Sequence, residues 1–292
     1  MDERDWVLIQ TLYQEKNITK AAQMLYISQP ALTNRLHQLE RKLNVRIVNR
    51  GRRGVQFTPQ GEYLAKAASE MLMSIQRIKE NVLNFEDRLT GTLRLAVSNF
   101  STDYVMPSLL KAFKEQYPGI EFKVTTGFSS DIADLIYSQE VHIAIVRGDY
   151  AWNGKKHLLF EDTLSIAADR EIDIGKLPEL PRIDYHTDPV LKHSIDNWWH
   201  EHFSEPPLVS IEVDRAGTCK KLVANGLGYG ILPSMVLKGN EEIHSNVIHT
   251  ADGNPIVRKT WMLYHEESLE LNIVKAFVNF VKESDAMEWL TD

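Results

Sequence analysis

Hydrophobic positions near the start of the chain recur at helical spacing in two short runs. Ala21, Ala22 and Leu25 share one face of the first run. The stripe of the second run consists of Ala31, Leu32, Leu36, Leu39 and Leu43. Between the runs, Ser28 is a good N-cap and Pro30 suits a first helical turn, where its missing N–H costs little. The pattern predicts a helix-turn-helix, a motif whose second helix can enter the major groove of DNA.

The start and the outer face of that second helix carry candidate DNA-binding residues. Amide side chains there can pair with adenine and a guanidinium with guanine, while hydroxyls bind phosphate or a base edge. The residues that this interpretation selects are Ser28, Gln29, Pro30, Thr33, Asn34, Arg35 and His37.

A predicted hairpin strengthens the helix-turn-helix interpretation, since small helical hairpins alone are common. Residues 45–50 and 55–58 have the composition of two short strands, and a Gly-Arg-Arg-Gly turn joins them. Arg50, Arg52 and Arg53 are predicted at the tip of this wing, where they can contact phosphates or the minor groove.

Charge separates this segment from the remainder of the chain. Residues 1–58 carry ten basic and five acidic side chains, so they sum to +5, whereas the other 234 residues sum to -12. A solvated charged face is the ordinary explanation of a basic run. The helix-turn-helix and wing patterns favour a surface that meets a polyanion instead.

The next segment has an apolar seam in alternating steps of four and three residues. It consists of Leu64, Ala68, Met71, Ile75, Ile78, Val82, Phe85 and Leu89. A helix that packs within its own domain would also be apolar on one side. The period of 3.5 and the length favour a partner helix from a second copy, and hence a homodimer with a roughly two-fold DNA site.

From residue 92 onward, the pattern changes to short apolar strands that alternate with amphipathic helices. Residues 93–97, 121–126 and 142–146 are predicted strands separated by helices, an order that indicates a parallel, doubly wound sheet. The pattern restarts after residue 168 and ends in an amphipathic helix at 269–284. The fold class is therefore α/β, with two lobes and a ligand cleft between them.

The run from Ala21 to Thr33, the Gln38-Leu-Glu40 segment and the Phe57-Thr-Pro-Gln-Gly61 segment resemble the winged helix-turn-helix of LysR-type transcriptional regulators. The resemblance implies a DNA-binding domain at 1–60, a linker helix for dimerisation at 61–90 and an effector-binding domain at 91–292. That last domain would resemble a type II periplasmic binding protein, with lobes at 91–162 plus 266–292 and at 163–265. The resemblance also implies a double-stranded DNA operator, a homotetramer, and RNA polymerase as a further partner.

Ligands in open α/β sheets bind at the carboxyl ends of the strands, which selects candidate effector-binding residues. They are Ser98, Asn99, Phe100, Ser129, Arg147, His186, Thr218 and Arg258. Arg147 directly follows an apolar strand, so it is either a carboxylate clamp or half of a buried ion pair. Cys219, Arg147-Gly148 and Arg258 also resemble the catabolite control protein E branch, whose implied ligand is citrate.

Other classes receive less support. The single cysteine, Cys219, excludes a disulfide framework and a Cys-based metal site, and we expect neither metal nor cofactor. The chain shows no signal peptide or long apolar run, so we expect a cytoplasmic protein without a membrane partner. The alternative function is a small-anion-binding protein or an enzyme on the same lobes. The basic segment at residues 1–58 and the lack of a recognisable set of catalytic residues disfavour both the binding protein and the enzyme.

Overall fold

The structure is a computed structural model that describes residues 1–51, 54–83, 89–239, 242–285 and 289, without the side chains of residues 50, 51, 81 and 83. It divides into two units, Met1–Phe85 and Glu86–Asp292. In the described residues, no helix is both long and apolar enough to cross a membrane.

The first unit is a three-helix cluster with a hairpin and a long helix. Its elements are α1 (Glu3–Glu15), α2 (Ile18–Met24), α3 (Gln29–Leu43), β1 (Val48–Gly51), β2 (Gly54–Phe57) and α4 (Pro59–Leu83). The Ser28 hydroxyl caps α3 by accepting the Ala31 N–H at 3.3 Å. Glu40 accepts the N–H groups of Ile47 and Val48, which fixes the hairpin against α3.

Helix α4 has two different halves. Ala65 and Ala68 are buried in the core of the first unit. Farther along, the side chains of Met71, Ile78 and Val82 are 43%, 62% and 61% exposed. Phe85 lies outside the described residues. Leu89 does not continue the seam as predicted, because it packs against the core of the second unit.

The second unit alternates strands and helices. Its elements up to the middle are β3 (Gly91–Ser98), α5 (Asn99–Tyr104), α6 (Met106–Gln116), β4 (Ile120–Gly127), α7 (Ser129–Tyr137), β5 (Ile143–Arg147), β6 (Lys155–Ala168) and a 3-10 helix (Ile174–Glu179). The rest are β7 (Pro181–Tyr185), α8 (Pro189–His202), β8 (Leu208–Val213), α9 (Ala216–Ala224), β9 (Gly230–Pro233), α10 (Ser234–Leu237), β10 (His244–Val247), β11 (Val257–Tyr264), a 3-10 helix (Glu266–Glu270) and α11 (Asn272–Glu283).

The main sheet has the order β10-β6-β11-β5-β3-β4, and β9 also pairs with β6. Strands β4, β3 and β5 are parallel, as the sequence predicts, whereas β11 and β6 run antiparallel to their neighbours. The sheet is therefore mixed. A separate parallel pair, β7-β8, belongs to the second lobe.

Strand β6 is shared by both lobes. Its first part, from Lys155 to Thr163, pairs with β11, and its last residues pair with β9 and β10. The predicted return to the first lobe at 266 is wrong by about one strand. Because Thr260 to Tyr264 of β11 pair with Arg147 to Ile143 of β5, this part of the chain already lies in the sheet of the first lobe.

Candidate functional site

The start of α3 forms a polar surface in the first unit. Ser28, Gln29, Pro30, Asn34 and His37 are exposed, and Thr33 is partly buried. The Thr19 hydroxyl lies 3.5 Å from Gln29 Oε1 and helps to orient that amide. The structure therefore presents most of the predicted groove-facing residues together, although their contacts with DNA stay a prediction.

Arg35 differs from its predicted position. Its Nε lies 2.7 Å from Asp5 Oδ1, and its Nη2 lies 2.7 Å from Asp2 Oδ1. Hydrogen bonds to Asp5 and then Asp2 raise the pKa of Arg35. The guanidinium thus ties α3 to the start of α1 instead of standing free at the outer face of the helix, because two acidic side chains satisfy its donors.

The wing is described in part. Arg50 lies on β1 opposite Val55, while Arg52 and Arg53 fall outside the described residues. The sequence interpretation missed Tyr26, which is 96% exposed in the turn before α3 and has a φ of 54°. An aromatic residue two positions before the N-cap Ser28 was the available signal, but apolar periodicity assigns such a residue to the core.

A cleft in the second unit gathers the predicted effector residues. It is lined by Ser98, Asn99, Phe100, Ser129, Arg147, His186 and Arg258, together with Tyr185 and Asp188. The volume of the cleft is about 100 Å³. Thr218, the eighth predicted residue, is exposed on α9 and is not among the lining residues. The roles of the other seven in binding stay a prediction.

Arg147 is fully buried at the floor of this cleft. Its Nη2 lies 2.9 Å from Asp162 Oδ2, and its guanidinium stacks 3.6 Å from the centre of the Phe100 ring. Burial, reinforced by the charge of Arg258, lowers the pKa of Arg147 to about 10, and burial also raises the pKa of Asp162. Of the two alternatives for Arg147, the structure therefore shows the buried ion pair.

Arg258 makes a second ion pair at the same floor. Its Nη2 contacts Asp188 Oδ2, and it also donates to the backbone oxygen of Arg147 at 3.4 Å. Both guanidiniums thus already have a carboxylate partner. The paired charges cancel at the floor, which composition alone does not reveal.

Three buried donors at this floor have no hydrogen-bond acceptor among the described residues. They are Arg147 Nε, Arg258 Nε and the Tyr185 hydroxyl. Burial raises the pKa of Tyr185, so this hydroxyl stays protonated and available to donate. A buried donor without an acceptor costs free energy, and a ligand oxygen would remove that cost.

The hydroxyls of Ser98 and Ser129 and the ring of His186 already have partners within the protein, which the sequence does not predict. Ser98 Oγ donates to Ser101 Oγ at 2.9 Å, and Ser129 Oγ accepts the Arg147 N–H at 3.0 Å. His186 is exposed and pairs with Glu212 at 3.1 Å. Asp188 is not among the residues that the sequence selects, although an Asp-Pro pair between a strand and a helix is a recognisable N-cap signal.

Cys219 has a structural environment. It is buried, and its thiol lies 3.4 Å from the Ile183 carbonyl oxygen, to which it donates. Burial raises its pKa to about 12, so the thiolate needed for redox chemistry is scarce near neutral pH. In the described part of the chain, no group of three or more His, Cys, Asp or Glu side chains could hold a metal ion.

Two family comparisons agree with this architecture. Residues 4–62 match the family described as bacterial regulatory helix-turn-helix protein, lysR family, and residues 86–286 match the LysR substrate binding domain. Together these matches account for both units. The chain belongs to the LysR family of DNA-binding transcriptional regulators, with a small-molecule effector domain, and is not an enzyme.

Similar proteins extend over nearly the whole chain. YraN of Bacillus subtilis, an uncharacterised HTH-type transcriptional regulator, is 37% identical over 282 residues, or 97% of this chain and 98% of its own. YkuM of the same organism is 36% identical and covers 94% and 95%. Full-length CbnR in complex with target DNA has a TM-score of 0.68 at 18% identity, covering 97% of this chain and 99% of its own. At that identity, the likeness to CbnR shows the fold alone.

Gln29→Ala is expected to reduce discrimination between operator and random DNA by about 1–3 kcal/mol, the usual contribution of a bidentate amide–adenine pair. Gel-shift titrations with an operator selected in vitro by the wild type measure this ratio. Arg35→Ala is the comparison: it should lower the melting temperature of the first unit and leave the ratio unchanged. An unchanged ratio for Gln29→Ala would show that Gln29 does not read a base.

Proposed function

We propose that a small carboxylate binds in the cleft and modulates operator binding, with citrate as the leading candidate. The observation that carries this proposal is the set of three buried donors without an acceptor at the cleft floor: Arg147 Nε, Arg258 Nε and the Tyr185 hydroxyl. A desolvated carboxylate is stable only when it is hydrogen-bonded and paired with a cation. The three donors supply the hydrogen bonds, and two of them belong to guanidinium groups, although each guanidinium already has a carboxylate partner.

The quaternary structure belongs to the same proposal. The exposed apolar side chains of Met71, Ile78 and Val82 on α4 favour a homodimer through this helix. Two copies of α3 would then read a roughly two-fold operator in the cytoplasm. Assembly into a homotetramer and contact with RNA polymerase follow from the family and complete the proposed partners.

Tyr185→Phe tests the cleft directly. The hydroxyl has no acceptor among the residues that the structure describes, so its removal breaks no hydrogen bond seen there. The affinity for the effector should fall by about 0.5–1.5 kcal/mol, the usual contribution of one hydrogen bond. Calorimetry with citrate, isocitrate, malate and 2-oxoglutarate on the full-length protein measures the change.

Tyr229→Phe is the matched control, because Tyr229 is a buried tyrosine of the same lobe whose hydroxyl donates to Leu177 O outside the cleft. The affinity of the Tyr229→Phe variant for the effector should equal that of the wild type. No heat from any of the four acids would exclude the carboxylate assignment. Equal affinities for Tyr185→Phe and the wild type would remove this hydroxyl from the site.

A further inference from the structure

Asp188 occupies a position between the two lobes. It is buried after β7, and its Oδ1 caps α8 of the second lobe by accepting the Leu191 N–H at 3.0 Å. Its other oxygen contacts the guanidinium of Arg258, which lies on β11 opposite Asp162, in the part of β6 that belongs to the first lobe. One carboxylate therefore begins a helix in one lobe and neutralises a buried cation in the other.

The other acidic residue at the floor is fixed differently. Asp162 lies within the continuous strand β6, where it pairs with Arg147 and accepts the Met235 N–H at 3.1 Å. Asp188 lies at a junction between a strand and a helix, outside the main sheet. A shift of the start of α8 would therefore separate Asp188 from its cation without breaking a hydrogen bond of the main sheet, whereas a shift of the backbone at Asp162 would disturb β6.

We propose that Asp188 is an internal competitor for the effector: an anionic ligand binds by replacing the Asp188 carboxylate on Arg258. This inference rests on the proposed function, since it takes an anion in this cleft as the ligand. The cleft has a volume of about 100 Å³. Small-molecule pockets usually measure about 300–1,000 Å³, so displacement of the Asp188 carboxylate would add room for a metabolite beside Arg258.

Competition of this kind sets selectivity as well as affinity. A tethered carboxylate is present at a high effective concentration, so simple inorganic anions cannot displace it. A ligand that also satisfies Arg147 Nε and the Tyr185 hydroxyl can displace it, because it gains contacts that Asp188 does not make. Displacement also removes an ion pair between the lobes. A ligand that displaces Asp188 therefore has different affinities for the arrangement of the lobes with this ion pair and the arrangement without it. Such a difference in affinity is the requirement for allosteric control.

Asp188→Asn in the full-length protein tests the proposal. Asparagine caps helices as well as aspartate does, so α8 keeps its cap while Arg258 loses its carboxylate. The probe is sodium sulfate, balanced with sodium chloride at constant ionic strength, and the readout is the melting temperature of the second unit. The variant should bind sulfate about tenfold or more tightly than the wild type, the change that corresponds to one charge-assisted hydrogen bond.

Asp103→Asn is the matched control, because Asp103 is an exposed carboxylate that lines the same cleft. The Asp103→Asn substitution changes the charge of the cleft by the same amount as Asp188→Asn. It should leave the affinity for sulfate near that of the wild type. Asp188→Ser, which also retains a capping side chain, replaces Asp188→Asn if that variant does not fold. In the double variant Asp188→Asn with Arg258→Gln, the gain should disappear.

Equal sulfate affinities for the Asp188 and Asp103 variants would overturn the proposal. The assay does not depend on the identity of the effector, so its outcome is separable from the carboxylate titrations. If the wild type binds an organic acid and Asp188→Asn binds it no more tightly, the competitor role is wrong and the effector class stands. If Asp188→Asn gains affinity for sulfate and none of the acids binds the wild type, the competitor role stands and the carboxylate assignment of the effector is wrong.

Discussion

Arg147→Met should destabilise the second unit by about 3–5 kcal/mol, the usual cost of removing one partner from a buried ion pair. The variant leaves the Asp162 carboxylate buried without its cation, and only the Met235 N–H still donates to it. Urea unfolding monitored by tryptophan fluorescence measures the change. Five of the six tryptophans lie in the second unit, so this signal reports mainly on that unit.

Two further variants make this prediction specific. Lys259→Met removes the cation of the exposed pair Lys259–Glu161, which joins β11 to β6 one residue before Asp162, and should cost less than about 1 kcal/mol. The double variant Arg147→Met with Asp162→Leu should recover most of the lost stability, because neither partner of this ion pair is left buried without the other. A loss for Arg147→Met no larger than that for Lys259→Met would contradict the prediction. Because the loss of Arg147 destabilises the second unit, a missing effector response in an Arg147 variant can be attributed to binding only if the stability of that variant is also measured.

Ile78→Asp should abolish dimerisation and, with it, tight binding to a two-fold operator. Ile78 is 62% exposed within one chain, so the substitution buries no charge in the monomer. In the proposed seam between two copies of α4, the carboxylate would be buried against apolar side chains without a partner, which is costly. Light scattering gives the mass, and a gel shift gives the operator affinity.

Gln76→Asp introduces the same charge two residues away, at an exposed position outside the seam. This control should keep the dimer mass and nearly the wild-type operator affinity. Melting curves that coincide for the two variants would establish that the monomer fold is intact in both. A dimer mass retained by Ile78→Asp would mean that α4 is not the dimerisation surface.

Local patterns predict the elements of this fold well because the causes are local. The cap at Ser28 and the parallel order of β4, β3 and β5 depend on neighbouring residues and on alternation along the chain. The position where the chain returns to the first lobe depends on pairing between distant strands. Since β11 pairs with both β5 and β6, only the register places residues 257–265 correctly.

The candidate sites were harder to predict, because the partner of each charged residue is distant in sequence. Arg35 is neutralised by Asp2 and Asp5, about thirty positions earlier. The partner of Arg258 is Asp188, 70 positions earlier. Composition shows that such residues are charged, and strand order shows which edge they occupy. Whether a guanidinium is free or paired is decided only when the tertiary fold brings acidic residues beside it.

The continuity of β6 determines how the lobes can move relative to each other. This strand, Lys155–Ala168, is bonded to β11 along one part and to β9 and β10 along the other, with no loop between the two parts. A change in the angle between the lobes must therefore bend or twist a hydrogen-bonded strand. Such a connection behaves as an elastic element with a preferred rest angle, so the unit returns to that angle when the ligand leaves.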